Sequence, residues 1–312
     1  MYNGFLVIRK DPGCTSHQVV AELRRLLGQR RIGHTGTLDP MARGVLVTAL
    51  GTATKLIPYL NEQRKVYRAR LVLGVTTDTQ DSTGRVLSQA PGTRVTREEL
   101  TAVLKDQIGL QEQIPPMFSA VKVNGEPLYK KARRGRVVSR KKRPVTIYRL
   151  EFYSESQPVY TFKEGPELLV ECSKGTYIRT LCHDIGRALG CGGCMGELER
   201  SASGPFSLAA ARSLPEIAVA LREGRLEEEI IPSVRALSHM PCITLAPEAA
   251  ARIVHGNTVP AGEQRAETAL AVTADNRVLA VLKPVQKDGK RFWQPVKVLQ
   301  QAGPFVKEGE KR

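Results

Sequence analysis

Apolar residues recur along the chain at spacings that separate strands from helices. Short apolar runs at residues 4–8 and 45–50 predict two buried strands, and Gly51 ends the second. Residues 65–73 alternate between apolar and polar positions, so Tyr67 is predicted to point to the apolar face of a sheet. Helical spacing predicts three helices, which start near Ser16 (a candidate N-cap), Thr96 and Thr176. Further strand-like runs occupy residues 168–172, 269–273, 278–282 and 293–299.

The segment from Gly33 to Leu46 joins a glycine-rich loop to the second buried run. Pro40 disfavours the α conformation for Asp39, which is therefore predicted to lie on a loop. An aspartate displayed on a loop and anchored by an apolar strand can act as a nucleophile or a base. Asp-Pro pairs are also common turn initiators. The residues of this loop by themselves leave both interpretations open.

Arg179 falls in the first turn of the third predicted helix. A cation at that position opposes the helix dipole by about 0.3–1 kcal/mol. Because the position is unfavourable, we expect Arg179 to have an anionic partner.

The chain is strongly basic, and part of the charge is clustered. It contains 47 Lys and Arg residues against 31 Asp and Glu, which gives a net charge of +16 and a pI of about 9.8. Such a balance favours a polyanionic partner. Residues 130–143 contain nine cations and no acid, so this run should be mobile until an anion neutralises it. A solvated tail would have the same composition, but the run lies mid-chain and strand signals follow it, which favours an RNA-gripping insertion.

Several other classes of protein are disfavoured. No apolar run approaches the roughly 18 residues of a transmembrane helix, and the N-terminus lacks the features of a signal peptide. We therefore expect a cytoplasmic protein with reduced thiols and no membrane partner. Cys191 and Cys194 have zinc-ligand spacing near Cys182 and His183, but no second such pair exists, so no metal site is predicted. Gln89 replaces the glutamate that a calcium loop starting at Asp78 requires.

Four segments, taken in order, resemble the TruB family of tRNA pseudouridine synthases over nearly the whole chain. They are the opening turn from Lys10 to Ser16, the loop from Gly33 to Leu46, the segment Thr77-Asp78-Thr79-Gln80-Asp81 and the run Tyr177-Ile178-Arg179. Two positions depart from the family pattern. Asp11 stands where a proline is usual, and Glu199 stands where the family commonly has arginine, which removes one cation from a minor RNA contact.

The resemblance implies roles for individual residues. Asp39 would be the catalytic carboxylate, Arg179 would pair with it, and Tyr67 would stack on the target uracil. His34 would help to extrude the base, Leu198 would line the active site, and Asp78 and Asp81 would be structural. The substrate-binding positions implied in this way are Lys10, His34, Lys130, Arg133, Arg143, Tyr177 and Leu198.

The fold implied by the resemblance is α+β, with a mixed β-sheet of the pseudouridine-synthase type. Residues 1–238 would form the catalytic domain, with a basic thumb insertion at about 113–143. Residues 239–305 would form a small β-rich PUA-like RNA-binding domain, and residues 306–312 a frayed tail.

The activity implied is isomerisation of uridine to pseudouridine at position 55 in the T arm of tRNA, by a monomer. The base is only detached, rotated and rejoined through carbon, so no cofactor is expected, in agreement with the lack of a P-loop or dinucleotide-binding motif. Asp39 would attack either the uracil ring or the ribose. Two alternatives are a non-catalytic RNA-binding protein or chaperone, and a metal-dependent nuclease that uses Asp39, Asp78 and Asp81.

Overall fold

A computed structural model of the protein describes residues 1–60, 64–154, 157–262 and 265–299. The predicted tail at 306–312 and the end of the predicted small domain lie outside the described residues. No helix in the described ranges is long and apolar enough to cross a membrane.

The described residues form eight α-helices, two 3₁₀-helices and twenty strands. The α-helices are α1 (Ser16–Leu26), α2 (Arg97–Asp106), α3 (Leu128–Arg133), α4 (Ile178–Ala188), α5 (Leu214–Arg222), α6 (Leu226–Glu229), α7 (Ser233–Ala236) and α8 (Pro247–Val254). The 3₁₀-helices span Gly51–Tyr59 and Leu208–Ala210. The strands are β1 (Gly4–Lys10), β2 (Ile32–His34), β3 (Arg43–Leu50), β4 (Arg64–Leu73), β5 (Val75–Thr77), β6 (Val86–Gln89), β7 (Arg94–Thr96), β8 (Gly109–Gln113), β9 (Lys122–Val123), β10 (Glu126–Pro127), β11 (Arg143–Phe152), β12 (Val159–Thr161), β13 (Glu167–Ser173), β14 (Gly193–Ser203), β15 (Phe206–Ser207), β16 (Cys242–Thr244), β17 (Val259–Pro260), β18 (Ala269–Val272), β19 (Val278–Lys287) and β20 (Lys290–Val298).

A nine-stranded sheet forms the centre of the molecule, with the order β1-β3-β14-β4-β13-β11-β8; β2 pairs with β3, and β15 with β14. All neighbours are antiparallel except β3 and β14, which run parallel. The predicted mixed sheet in an α+β fold is therefore confirmed. Strand β14 comes late in the chain and lies between β3 and β4, which are close in sequence.

The two faces of the sheet are covered differently. One core packs α1, α2 and α4 against the face that carries Tyr67, Ala69, Leu71 and Leu73, as the alternation in β4 predicts. A second core covers the opposite face of β1 and β3, where Phe5 and Val45 lie. The strand predicted at 45–50 is fully buried because both of its faces are covered.

The predicted cap of α1 and the predicted start of α4 are wrong by one and two residues. Thr15, not Ser16, caps α1, through a capping box with Gln18. Helix α4 begins at Ile178 rather than Thr176, with Tyr177 at the N-cap position. Thr176 instead closes the preceding turn, because its hydroxyl donates to the Ser173 carbonyl at 2.8 Å.

The basic insertion runs between two strands of the main sheet, β8 and β11, and contains the hairpin β9–β10 and α3. Leu128 is buried at the start of α3. Arg134 pairs with Glu126 at 2.8 Å and Lys142 pairs with Glu112 at 3.2 Å, so two of its nine cations are neutralised locally. Arg143, the last of them, begins β11.

The C-terminal segment forms a separate five-stranded sheet with the order β16-β18-β19-β20-β17, packed on α8. This arrangement matches the predicted small β-rich domain of PUA-like fold. Its inner face joins the second core, where Leu270 and Val281 pack in the same cluster as Phe5 and Val45. Lys55, in the first 3₁₀-helix, donates to the Val298 carbonyl of β20 at 2.7 Å.

Candidate active site

The loop between β2 and β3 and the start of α4 bring Asp39 and Arg179 together. The Arg179 Nε lies 2.9 Å from Asp39 Oδ2, and its Nη2 donates to Oδ1 at 3.2 Å, so the pair is bidentate. The Arg179 side chain is 5% exposed, whereas that of Asp39 is 31% exposed. Arg179 therefore has the anionic partner expected for its position, and the carboxylate remains accessible to a substrate.

Arg179 is held by further acceptors on two other segments. Its Nη1 donates to the Thr79 carbonyl at 2.9 Å and lies 3.5 Å from Asp81 Oδ2, while Nη2 also donates to the Phe118 carbonyl at 2.9 Å. Asp81 is buried and accepts hydrogen bonds from the hydroxyls of Thr79 and Thr83 at 2.8 and 2.6 Å. The resemblance implied only a structural role for Asp81, and Phe118 had no signal, because a backbone carbonyl leaves no mark in a sequence.

Lys10 and Ser16 hold the loop that carries Asp39 through hydrogen bonds to its backbone. The Lys10 ammonium is buried and donates to the carbonyls of Ala42, Asp11 and Pro40 at 2.6, 3.1 and 3.2 Å. The Ser16 hydroxyl accepts from the Leu38 amide at 2.9 Å, at the residue next to Asp39. Ser16 is therefore a link between α1 and the loop rather than a helix cap.

Arg200 on β14 is a second support of the loop, and sequence reasoning missed it. Its side chain is buried, and its guanidinium donates to the carbonyls of Val45, Gly36 and Thr37. A Cβ atom on Gly44 would lie 2.3 Å from the Arg200 carbonyl oxygen, and Gly44 has φ of +106°. Glycine is therefore needed for β3 to approach β14. The loop glycines gave a partial signal for this close approach.

Tyr67 and Leu198 lie on adjacent strands, β4 and β14, and both are buried in the first core. Burial raises the pKa of the Tyr67 phenol, and the positive charge of Arg200 opposes that shift. The negative charge of Asp39 adds a smaller upward contribution to the same pKa.

His34 and Tyr177 are each held by a contact with another segment. His34 ends β2, and its ring contacts that of His17 edge-on, with centroids 5.2 Å apart. The Tyr177 amide donates to Gln113 Oε1 at 2.8 Å, and Gln113 Nε2 donates back to the Tyr177 carbonyl at 3.0 Å. Gln113 thereby joins the start of the basic insertion to the start of α4.

Removal from bulk water raises the pKa of the Asp39 carboxyl, and Arg179 opposes this increase. The charge of Asp81 adds to the upward shift, since it shares Arg179 with Asp39. The Asp39 carboxylate is thus more basic than that of an exposed aspartate, and Arg179 favours its ionised form, which suits a nucleophile or a base.

The remaining candidate positions lie outside this cluster. Lys130 and Arg133 are on α3, and the Arg133 guanidinium lies over the ring of Tyr129, with 5.6 Å to its centroid. Glu199 accepts from Arg43 Nε at 2.7 Å across the β3–β14 junction, so an internal ion pair stands where the family commonly has a cation. In the described ranges, no group of three or more His, Cys, Asp or Glu residues could hold a metal ion.

Comparison of the sequence with known families gives two adjoining matches. Residues 24–178 match the N-terminal domain of the TruB family pseudouridylate synthases, and residues 179–239 match the tRNA pseudouridylate synthase B C-terminal domain. The chain belongs to the TruB family. A relative from Geotalea uraniireducens, tRNA pseudouridine synthase B, is 47% identical over 261 residues, which are 84% of this chain and 82% of the relative.

Two solved structures share the whole architecture of this TruB-family chain. A Cbf5-Nop10-Gar1 complex superposes with a TM-score of 0.70 and 28% identity, covering 96% of this chain and 85% of the other. An H/ACA RNP bound to a substrate RNA containing 2'-deoxyuridine superposes with a TM-score of 0.68 and 25% identity, covering 95% and 85%. The likeness includes the C-terminal sheet, which the two family matches do not reach.

Proposed function

We propose that this protein isomerises uridine to pseudouridine at position 55 in the T loop of tRNA, with Asp39 as the catalytic carboxylate. The observation that carries the proposal is the accessible Asp39 carboxylate, held in a bidentate pair by the buried Arg179. The relatives named tRNA pseudouridine synthase B support tRNA as the substrate.

The reaction breaks the bond from N1 of uracil to C1' of ribose and forms a bond from C5 to C1'. The hydrogen on C5 leaves as a proton, and N1 gains one, so no oxidant or reductant is consumed. Asp39 acts on the ring or on C1', and both routes need an ionised carboxylate, which Arg179 favours. The target base must leave its stack to reach this carboxylate.

The surrounding residues have distinct parts in the proposal. Tyr67 lies against the flipped uracil, Leu198 and Tyr177 line the pocket, and His34 occupies the space that the base vacates. Lys10 acts indirectly, because its three N–H groups are directed at backbone carbonyls and it fixes the loop. The ring of Tyr67 is 7% exposed, so the base meets its edge at the border of the core.

The RNA is gripped mainly through its backbone and shape, as folded RNA usually is. Seven of the nine cations at 130–143 have no ion pair with another described residue, among them Lys130, Arg133 and Arg143. We assign them to phosphate contacts, and residues 239–305 to a second RNA-binding domain. Residues 1–238 supply every residue of the reaction.

A tRNA substrate also implies where and in what form the protein acts. We propose a cytoplasmic enzyme, in agreement with the absence of a disulfide among its six cysteines, all of which are described. We propose a monomer, because one chain provides the carboxylate, the arginine and the tyrosine. Light scattering at working concentrations tests the monomer.

The decisive experiment uses a T-arm hairpin with tritium at C5 of uridine, in the presence of a metal chelator. We expect release of tritium without cleavage of the strand, and no release from an anticodon-arm hairpin of equal length. Reverse transcription after carbodiimide treatment then locates the product within the hairpin. Release from the T arm at a position other than 55 would contradict the assigned site.

The other two interpretations of the sequence give different results in the same assay. A metal-dependent nuclease would cleave the RNA once magnesium is restored, and would do so without release of tritium. A binding protein or chaperone would shift the hairpin in a gel and cause neither change. Either pattern would refute the proposed reaction.

A further inference from the structure

Arg200 occupies the point where three strands of the main sheet meet. It pairs with Gly44 of β3 on one side and with Tyr67 of β4 on the other. The side chain is 1% exposed. Its Nε donates to the Val45 carbonyl at 2.8 Å, Nη2 to the Gly36 carbonyl at 3.3 Å and Nη1 to that of Thr37 at 3.4 Å.

This guanidinium is a buried charge without a counter-ion nearby. In the described part of the chain, no carboxylate oxygen lies within 4.0 Å of it. The hydrogen-bond acceptors of its guanidinium are peptide carbonyls, and its charge lowers the pKa of the Tyr67 phenol, which burial raises. Burial of a cation is costly, and an apolar side chain of similar volume would fill the space without that cost. Packing alone therefore does not require a guanidinium here.

Arg200 contacts the two parts that must meet at the substrate. Gly36 and Thr37, whose carbonyls accept from it, are three and two residues before Asp39, and Tyr67 is its cross-strand partner on β4. A planar guanidinium has its donors in a fixed fork, so it sets the separation of the groups that it bonds. The backbone of Arg200 pairs with that of Tyr67 and its guanidinium bonds the loop, so this one residue fixes the loop relative to the strand that carries Tyr67.

We propose that Arg200 is a positioning residue of the isomerisation, which holds the Asp39 loop and the Tyr67 phenol in a single reactive arrangement. The inference deepens the proposed function and rests on it. Gly44 contributes to the same arrangement. A side chain at this position would clash with the backbone of Arg200 and displace β14 from the loop.

The test compares Arg200→Met and Arg200→Lys with the control Arg24→Met. Arg24 donates to the Ile32 carbonyl at 2.6 Å and so ties α1 to β2, but it has no contact with Tyr67 or with the loop carbonyls of Gly36 and Thr37. For each protein we would measure thermal unfolding, affinity for the T-arm hairpin, and single-turnover tritium release at saturating enzyme between pH 6 and pH 9.

We expect Arg200→Met to bind the hairpin within a few-fold of the parent and to react at least ~100-fold more slowly, the cost of a misplacement of about 1 Å. Arg200→Lys should fall between the two, since it keeps the charge and loses the fork. The loss should therefore appear in the single-turnover rate and not in the affinity for the hairpin. A merely structural role would lower the melting temperature and leave the rate of the folded protein unchanged.

A folded Arg200→Met variant with the parent rate would overturn the proposal, as would an equal loss of rate in Arg24→Met. Should Arg200→Met not fold, Arg200→Lys decides, and a parent single-turnover rate in that variant overturns the proposal. If neither variant folds, Arg200 is a folding residue and the proposal fails. An inactive parent protein refutes the proposed function itself, which distinguishes the two failures.

Discussion

Replacement of Asp39 by asparagine removes the charge of the carboxylate and keeps the shape of the loop. Asparagine is nearly isosteric, and its carbonyl oxygen can still accept one bond from Arg179. The loop keeps its supports, because Lys10, Ser16 and Arg200 all hold backbone groups rather than the carboxylate. Arg179 keeps its contacts with the carbonyls of Thr79 and Phe118.

The structure sets the expected size of each effect. The variant loses the charge that attacks or activates the substrate, so turnover should fall below about a hundredth, a loss of at least ~2.7 kcal/mol of transition-state stabilisation. Stability should not fall. The folded pKa of Asp39 lies above its ordinary value, so the proton stabilises the folded state and the charge at neutral pH opposes folding. Affinity for tRNA should stay within a few-fold, since phosphate contacts elsewhere provide most of it.

Single-turnover tritium release, filter binding and thermal unfolding measure the three effects on one preparation. Asp78→Asn is a matched control, because Asp78 lies in the turn that holds Arg179 but its carboxylate accepts from the Arg85 amide and forms a 4.0 Å ion pair with the Arg85 side chain. It should react at close to the parent rate. Turnover of Asp39→Asn above about a hundredth of the parent would refute the assignment of Asp39, and a parallel loss of binding would point to a damaged loop.

Three further changes have expected outcomes. Three unpaired cations of the basic insertion should be neutralised together: Lys131, Arg136 and Lys141. Their loss should weaken tRNA binding and flatten the slope of log K against log salt by up to ~0.7–0.9 per lost phosphate contact, and an unchanged slope would exclude RNA contact. Asp81→Asn should move the acidic limb of the pH–rate profile to lower pH, because the charge of Asp81 raises the pKa of Asp39; a limb at the parent pH would contradict this coupling. Removal of residues 239–312 should leave a less stable protein that still isomerises uridine with poorer affinity, since Leu270 and Val281 share a core with Phe5; an insoluble product would place the domain boundary elsewhere.

The parts of the fold that follow local patterns could be predicted from the sequence. Alternation in β4 fixed the face of Tyr67, and the unfavourable first-turn position of Arg179 correctly predicted an anionic partner. The resemblance then identified Asp39 as that partner. Each of these inferences uses a spacing of a few residues, or a motif that is contiguous in the chain.

The rest of the site depends on contacts between distant segments. Asp81 is 98 residues from Arg179, Phe118 takes part only through its carbonyl, and Arg200 acts on backbone atoms 155 to 164 residues away. No periodicity records such contacts. The capping error at Ser16 has the same origin, because the hydroxyl that seemed available to α1 is used by Leu38.

The late position of β14 in the chain has a consequence for synthesis on the ribosome. Strands β3 and β4 emerge early, but the strand that joins them follows about 120 residues after β4. Until it arrives, both have an open edge, the kind of surface through which incomplete chains aggregate. Leu198 and Arg200, which lie on β14, are also missing from such a chain. A truncated product that already carries the basic insertion could therefore hold RNA but could not modify it, and insertion of β14 closes the sheet and completes the reactive centre in one folding step.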